Sequence, residues 1–281
     1  MKKIFMLSLA LMVLSITASS KDKTIYGFES EGITFAVKGN AKVEVIRPLV
    51  KVYFGDVTIP SKATYEGTTY TVVGIGEHAF ANMDIDRVSV PATVSYMTEG
   101  VFQASHLKSY VWPTSVDRIP EWAFADSPSL AVVKLGDNIT SIGSGAFYGC
   151  SDLTSIDIPL SVKIIDTLAI SNCSRLTKIT LNEGLETIGN MAFKDDSRLT
   201  ELTIPSTVKT IGSEFIDGCD KLSTIKTLSS EPPMLLMKSK EKELTVFKKF
   251  GKKGKLVVPN GCANAYRKAA GWSSILNIVE E

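Results

Sequence analysis

The sequence has little of the chemistry on which catalysis near neutral pH usually depends. Its 281 residues include two histidines and four cysteines, and no Cys-x-x-Cys pair, phosphate loop or Gly-x-Ser-x-Gly elbow occurs. The segment Gly74-Ile-Gly76 lacks the third glycine of a dinucleotide fingerprint. Histidine is the usual acid, base or metal ligand, and His78 and His106 are expected in solvated loops. We therefore predict no enzyme activity, no metal site and no cofactor.

The sequence also lacks an apolar run near its start that is long enough to cross a membrane. The run from Ile4 to Ile16 has 13 residues, whereas a helix needs roughly 20. It follows Lys2-Lys3 and precedes Thr17-Ala-Ser-Ser20, a pattern typical of a secretory signal peptide. We expect residues 1–20 to be this peptide, cleaved shortly after Ala18, with an uncleaved anchor as the alternative. The mature chain would then be secreted or extracytoplasmic without a transmembrane segment, either released or held at the cell surface by a partner.

Neither sign of charge dominates the whole chain, but the charges are unevenly distributed. Residues 21–233 carry 19 basic and 26 acidic side chains, whereas residues 234–281 carry 10 basic and 4 acidic ones. Five lysines lie between Lys248 and Lys255. This basic loop is either a solvated segment, a contact for an anionic polysaccharide or similar surface, or a contact with the acidic body. We do not expect nucleic acid as a partner.

An internal repeat is the main feature that the sequence does contain. Two apolar columns recur every 22 or 23 residues, and each unit has about seven apolar positions. Because about seven apolar residues cannot bury a core within a single unit, the units must stack. The leading column comprises Ile85, Leu107, Leu130, Leu153, Leu176, Leu199 and Leu222. The second, called here the Phe column, comprises Phe80, Phe102, Phe124, Phe147, Ile170, Phe193 and Ile216.

Each repeat unit, called here a coil, predicts two extended segments and a turn. The motif Leu-x-x-Ile-x-Ile alternates as a strand requires, so stacking predicts a continuous parallel sheet of about seven coils. The following Val-x-x-Ile-Gly predicts a second short extended segment, and Ala-Phe a tight helical or 3-10 turn. Proline ends several of the leading strands because it withholds an amide donor.

This pattern resembles the BspA-like class of leucine-rich repeats, over residues 57–228 and most closely over residues 139–159. The resemblance implies a β-rich leucine-rich repeat solenoid. It also implies a secreted or surface protein of bacteria, of a kind often implicated in adhesion to host matrix proteins or to other cells. The departures from the family pattern are Gly136 and Asn182 in place of proline, Thr98, Pro120 and Asp166 in place of glycine, and Ile170 in place of phenylalanine.

Stacked coils expose apolar edges at both ends, so we expect a cover at each. We assign residues 21–56 to an N-terminal β cap and residues 57–228 to the solenoid. An irregular linker with the basic loop follows at residues 229–254, and a C-terminal cap at residues 255–281. The segment around Glu66-Gly67 predicts a β-hairpin turn.

Three of the cysteines share one repeat position. Cys150, Cys173 and Cys219 each stand three residues before a leading leucine, with Asp196 between them in the same column. Two interpretations remain open. Either the thiols are free and buried, or Cys150 and Cys173, on coils ~5 Å apart, form a disulfide. Cys173 and Cys219 lie two coils apart, which is too far for a bond.

Residues two and four beyond each leading position should face solvent. Lys134 should then pair with Asp157, and Lys178 with Glu201, each pair being worth ~0.2–1 kcal/mol. Tyr110 and Trp112 fall at inward positions and are expected in the core. The candidate binding surface combines outward charges with the basic loop: Arg87, Lys134, Asp157, Lys178, Glu201, Lys226, Lys248, Lys249, Lys252 and Lys253.

A repeat surface without a recognisable set of catalytic residues favours a role in binding other molecules. We therefore expect an exported binding or adhesion protein whose ligand is a protein or a glycan, such as a host matrix or cell-surface component. One alternative is an accessory protein that binds polysaccharide. A weaker one is an enzyme with an unfamiliar site.

Overall fold

The computed structural model describes residues 27–50, 52–236, 247 and 249–281. The expected signal peptide and Lys248 lie outside these residues. In chain order the strands are β1 (Gly27–Ser30), β2 (Ile33–Gly39), β3 (Lys42–Val45), β4 (Phe54–Thr58), β5 (Lys62–Tyr65), β6 (Thr68–Ile75), β7 (Asp84–Ser89), β8 (Tyr96–Met97), β9 (Ser109–Val111), β10 (Arg118–Ile119), β11 (Val132–Lys134), β12 (Ser141–Ile142), β13 (Ser155–Asp157), β14 (Ile164–Ile165), β15 (Lys178–Thr180), β16 (Thr187–Ile188), β17 (Glu201–Ile204), β18 (Thr210–Ile211), β19 (Thr224–Thr227), β20 (Met234–Leu235), β21 (Lys255–Val258) and β22 (Asn277–Glu280). The helices are α1 (Phe250–Lys253) and α2 (Ala263–Lys268), with a 3-10 turn at Trp272–Ser274.

The first strands form a sheet of their own at the start of the described chain. Its order is β1-β2-β3-β6-β5, and β8 also pairs with β6. Strands β5 and β6 form the hairpin that the sequence predicts, with Tyr65 opposite Thr68 across Glu66-Gly67. Phe28 stacks on Tyr65 with ring centroids 4.8 Å apart, so aromatic packing joins β1 to this hairpin.

The most continuous sheet of the repeats lies on the second extended segment of each coil. Six parallel strands follow one another in the order β10-β12-β14-β16-β18-β20. The sheet does not extend back to β8, because Pro120 has no amide hydrogen. Its equivalent Gly143 donates to the Ile119 carbonyl of the preceding coil at 2.9 Å. A departure from the repeat pattern therefore sets one end of this sheet.

The leading strands, in contrast, do not form the continuous sheet that the sequence predicts. They pair as β4·β7, β9·β11, β13·β15 and β17·β19·β21·β22. Of the three interruptions within the repeats, after β7, β11 and β15, the last two follow coils that lack the usual proline. There Asn138 donates to the Thr114 carbonyl at 2.9 Å and Asn182 to the Ile158 carbonyl at 2.7 Å. These bonds tie each turn to the preceding coil.

The Ala-Phe segments are tight turns bounded by two left-handed residues, four positions apart. A helix cannot extend through them, because it needs consecutive right-handed residues. Alternate amides instead reach the next coil, as Gly145, Phe147 and Gly149 donate at 2.8–3.0 Å to residues 167, 169 and 171. The left-handed pairs are His78 and Asn82, Gly100 and Ala104, Trp122 and Asp126, Gly145 and Gly149, Leu168 and Asn172, Met191 and Asp195, and Glu214 and Gly218.

The core lies between the strands and these turns. Rings of the Phe column stack along it, with centroids 5.6 Å apart for Phe80 and Phe102, and 5.3 Å apart for Phe102 and Phe124. Tyr110 and Trp112 pack against the column at 5% and 1% exposure, which confirms their predicted inward position. Most stabilisation therefore comes from apolar contacts between neighbouring coils.

The last coil is covered by residues from the end of the chain. Strand β21 joins β19, and β22 joins β21, in parallel register. The Trp272 indole donates to the Pro233 carbonyl at 2.8 Å, and the Tyr266 hydroxyl donates to the Ser229 carbonyl at 2.9 Å. Strand β20 and helix α1 lie within residues 229–254, where the sequence predicts an irregular segment. No helix among the described residues is long and apolar enough to cross a membrane.

Candidate functional site

The outward charges of the candidate binding surface are spread along the leading strands. Arg87, Lys134, Asp157, Lys178 and Glu201 are all exposed. Each belongs to a different strand, so together they form a discontinuous row and no compact cluster. Their equivalent near the carboxyl end, Lys226, is half-buried and contacts Glu281 at 3.1 Å.

The two ion pairs expected within this row do not form. Neither Lys134 and Asp157 nor Lys178 and Glu201 approach within 4 Å among the described contacts. Both predicted pairs cross the places where the leading sheet is interrupted, between β11 and β13 and between β15 and β17. Strands without ladder bonds do not hold opposite side chains at the close spacing that such a pair needs.

Ion pairs between coils occur at the ends of the strands instead. Arg175 contacts Asp152 at 2.9 Å, and Lys209 contacts Glu186 at 2.7 Å. The hydrogen bond from Lys209 lowers the pKa of Glu186. Because these side chains are exposed, solvent and salt screen their attraction.

The interruption between β11 and β13 opens onto a groove of about 570 Å³. Its lining includes Lys134, Leu135, Asp157, Pro159, Leu160 and Ser161. The volume lies in the range of roughly 300–1,000 Å³ that is usual for ligand sites. We call this feature the groove.

Polar groups that line the groove lack some of the hydrogen-bond partners that equivalent groups have in other coils. The Trp112 and Ile158 amides donate at 2.9 Å to the next coil, at Lys134 and Thr180. The equivalent bond from the Leu135 amide to the Asp157 carbonyl is absent from the described backbone contacts. The Ser161 hydroxyl oxygen is buried without a partner among the described atoms. A ligand that offers both donors and acceptors would satisfy these groups.

Apolar side chains lie in the groove and on the strands beside it. Leu160 is 68% exposed in the wall of the groove, and Val111 and Val132 are 68% and 59% exposed on β9 and β11. Lys134 and Asp157 place opposite charges at this surface. The combination of apolar contact area with charged and hydrogen-bonding groups suits recognition of a polypeptide surface.

A second apolar surface was not anticipated from the sequence. Leu49, Val50, Val52 and Phe54 are between 62% and 99% exposed. From the sequence, Lys51–Phe54 is expected to be part of a strand in the N-terminal cap. Such a strand would bury alternate residues. Tyr53, between Val52 and Phe54, is 5% exposed, so the alternation holds, and the outward positions carry apolar side chains where polar ones are usual.

The basic loop is partly engaged with the body of the protein. Lys249 contacts Asp220 at 2.8 Å, and this hydrogen bond raises the pKa of the lysine. Lys252 and Lys253 are exposed on α1. The contact from Lys249 fits the alternative in which the loop docks on the acidic body.

The residues that the sequence considers for catalysis are dispersed. His78 is half-buried beside Glu77, with the nitrogen and oxygen 3.7 Å apart, and His106 is exposed on another coil. The described residues contain no group of three or more His, Cys, Asp or Glu side chains arranged to hold a metal ion.

The cysteines are free in the structure, so the Cys150–Cys173 disulfide does not form. The thiols of Cys150 and Cys173 instead donate at 3.2 Å to the Phe124 and Phe147 carbonyls of the preceding coils. Burial raises the pKa of both thiols. They are therefore protonated and poor nucleophiles.

Comparison with known proteins identifies the family. The family model described as the BspA type leucine rich repeat region matches residues 67–174 and 119–231. The chain therefore belongs to this family, and the resemblance that its repeat units show is confirmed. None of the curated proteins compared with the chain matches it.

One solved structure supports the same fold. A leucine-rich repeat protein from Bacteroides ovatus ATCC 8483 matches with a TM-score of 0.55 and 20% identity, over 90% of this chain and 76% of that chain. A leucine-rich repeat protein from T. pallidum matches with a TM-score of 0.47 and 20% identity, over 68% of this chain and 87% of that chain. The likeness to the first shows a shared fold. A chain of this family fits a protein-binding role, and its fold class is generally not enzymatic.

Proposed function

We propose that this chain is an exported, adhesion-type protein that binds a protein ligand through the outer face of its repeats. The groove at the interrupted leading sheet is the observation that carries this proposal, because it joins apolar surface to unpartnered polar groups. The signal-peptide pattern of residues 1–20 supports export. A host matrix or cell-surface protein would be such a ligand.

A glycan ligand is the second candidate, and the basic loop favours it. Lys252 and Lys253 are exposed on α1 and face solvent. A polyanionic glycan would bind there mainly by charge, so its affinity would fall steeply as salt increases. The proposed protein contact in the groove is less sensitive to salt, because part of it is apolar.

The test of ligand binding compares two equivalent surface changes. Leu160→Glu places a charge in the groove wall, whereas Leu276→Glu places one on a leucine that is 80% exposed at the carboxyl end. We expect cross-linking to intact host cells to capture a protein with the wild type and with L276E, and at least tenfold less of it with L160E. Equal capture by both variants would place the site elsewhere. Capture that disappears in high salt, or in a variant lacking Lys252 and Lys253, would favour the glycan.

The test of export uses the source cells. Fractionation followed by N-terminal sequencing should find a chain that begins shortly after Ala18 outside the cytoplasm. An unprocessed chain confined to the cytoplasm would contradict export, whatever the binding experiment shows.

A further inference from the structure

A buried column of small polar side chains runs through the coils beside the Phe column. Its members stand three residues after the Phe-column positions from Phe102 onward and are Ser105, Ser127, Cys150, Cys173, Asp196 and Cys219. Four of them donate their side-chain hydrogen to the Phe-column carbonyl of the preceding coil. These bonds are Ser127 to Phe102 at 2.9 Å, Cys150 to Phe124 at 3.2 Å, Cys173 to Phe147 at 3.2 Å and Cys219 to Phe193 at 3.0 Å.

Asp196 occupies a donor position in this column but is normally an acceptor. Its side chain is fully buried, and its Oδ1 accepts a hydrogen bond from the Cys173 amide at 2.8 Å. Its Oδ2 is buried without a partner among the described atoms. A buried carboxylate oxygen without a donor is expensive, because it has lost its water without compensation.

The Asp196 contact also removes the usual donor from the Ile170 carbonyl. In other coils the amide of the column residue bonds within its own turn, as Cys150 does to Phe147 at 3.2 Å and Cys219 to Ile216 at 3.2 Å. The Cys173 amide is instead directed to Asp196, and no described hydrogen bond reaches the Ile170 oxygen. The Ile170 carbonyl lies one coil before Asp196, at the same repeat position that Phe147 has relative to Cys173. The repeat register therefore places this carbonyl opposite the Asp196 side chain.

We propose that Asp196 is held as a neutral carboxylic acid whose Oδ2 hydrogen donates to the Ile170 carbonyl, so that one proton is a structural component of the solenoid. With this proton, Asp196 makes the same contact that serine and cysteine make in neighbouring coils. Without it, a charge would lie unpaired in the core between coils.

The groups around Asp196 favour the neutral form. Burial raises its pKa well above the usual range, and Asp195 adds repulsion. Cys173 and Cys219, which face it from the coils on either side, are neutral because burial raises the pKa of their thiols. The half-buried Lys194 ammonium is engaged with Glu214 at 3.4 Å and with Asp217 at 3.8 Å. No described cation contacts the buried carboxyl.

The pH dependence follows from the direction of this shift. An unfolded aspartate loses its proton near pH 3.9, whereas the folded protein keeps it to a much higher pH. Between these values the folded state binds one more proton than the unfolded state. Stability should therefore fall as pH rises above about 4, by up to about tenfold in the folding equilibrium constant per pH unit, until the folded group ionises.

The test is the variant Asp196→Asn. Its amide nitrogen would donate to Ile170 and its oxygen would accept from Cys173, so it reproduces the protonated acid without an ionisable group. We expect its denaturation midpoint to rise relative to that of the wild type progressively between pH 5 and pH 8. The control Asp195→Asn makes the same change on an exposed neighbour and should produce a much weaker trend.

Infrared spectroscopy tests the proton directly. The folded wild type at pH 7 should show the carbonyl stretch of a protonated carboxylic acid, and D196N should lack it. If the asparagine variant fails to fold, Asp196→Cys supplies the side chain found at three other positions of the column. Absence of the band from the wild type, or a midpoint difference that does not change with pH, would overturn the proposal. Neither result bears on ligand binding in the groove.

Discussion

Burial, and not spacing alone, determines which groups the side chains of the buried column bond to. Cys150 and Cys173 stand on adjacent coils, which is compatible with a disulfide, yet each thiol is directed to a backbone carbonyl of the preceding coil. Each thiol adds a second donor to a carbonyl that already accepts an amide of its own turn, from Ser127 to Phe124 at 3.1 Å and from Cys150 to Phe147 at 3.2 Å. The sequence can place these residues in one column, but it does not reveal the carbonyl that each one meets.

The thiols therefore provide a prediction at the residue scale. In the native protein, an alkylating reagent should modify Cys262, which is half-buried, long before Cys150, Cys173 or Cys219. The buried thiols are both inaccessible and protonated, and the thiolate is the reactive form. Mass spectrometry should find one added group in the native state and four in denaturant without reductant. Two additions in denaturant would instead reveal a disulfide.

At the scale of the strands, departures from the repeat pattern accompany three of the places where ladders stop. Pro120 ends the sheet of the second segments because it lacks an amide hydrogen, and Asn138 and Asn182 tie their turns to the preceding coil. The sequence predicts the apolar columns because inward positions repeat. It does not predict the groove, since that depends on hydrogen bonds between neighbouring coils that the repeat pattern does not specify. The exposed apolar residues near Phe54 were missed because an apolar run resembles a buried strand.

The interrupted sheet gives a prediction about electrostatic coupling between strands. A double-mutant cycle on Lys178 and Glu201 should give a coupling energy near zero, because no ion pair forms across the gap between β15 and β17. The cycle on Arg175 and Asp152, which are 2.9 Å apart, should give about 0.2–1 kcal/mol. Both cycles can be measured by urea denaturation at low salt. A larger coupling for Lys178 and Glu201 would show that these strands are closer in solution than in the structure.

At the scale of the molecule, each coil depends mainly on its immediate neighbours. The stacked rings of the Phe column and the amide contacts between turns both connect one coil to the next. Stability in such a solenoid is approximately a sum of coil and interface terms. The groove, formed largely by residues 133–135 and 157–161, is therefore a local feature that can be removed while the stacking of the remaining coils is preserved.

Deletion of one coil tests this view of the whole molecule. Removing residues 153–175 joins Asp152 to Leu176 and restores a leading residue at the same register, so the shortened chain should fold and melt cooperatively at a lower temperature. Removing residues 153–164 would leave a coil of 11 residues, 165–175, which is too short for two extended segments and a turn, and should abolish cooperative folding. Circular dichroism and thermal melts distinguish the two deletions.

The solenoid shortened by residues 153–175 lacks Asp157 and Leu160, so it should also lose the proposed ligand. If it retained full binding, the contact surface would lie outside the groove, and the exposed residues around Phe54 would become the next surface to test.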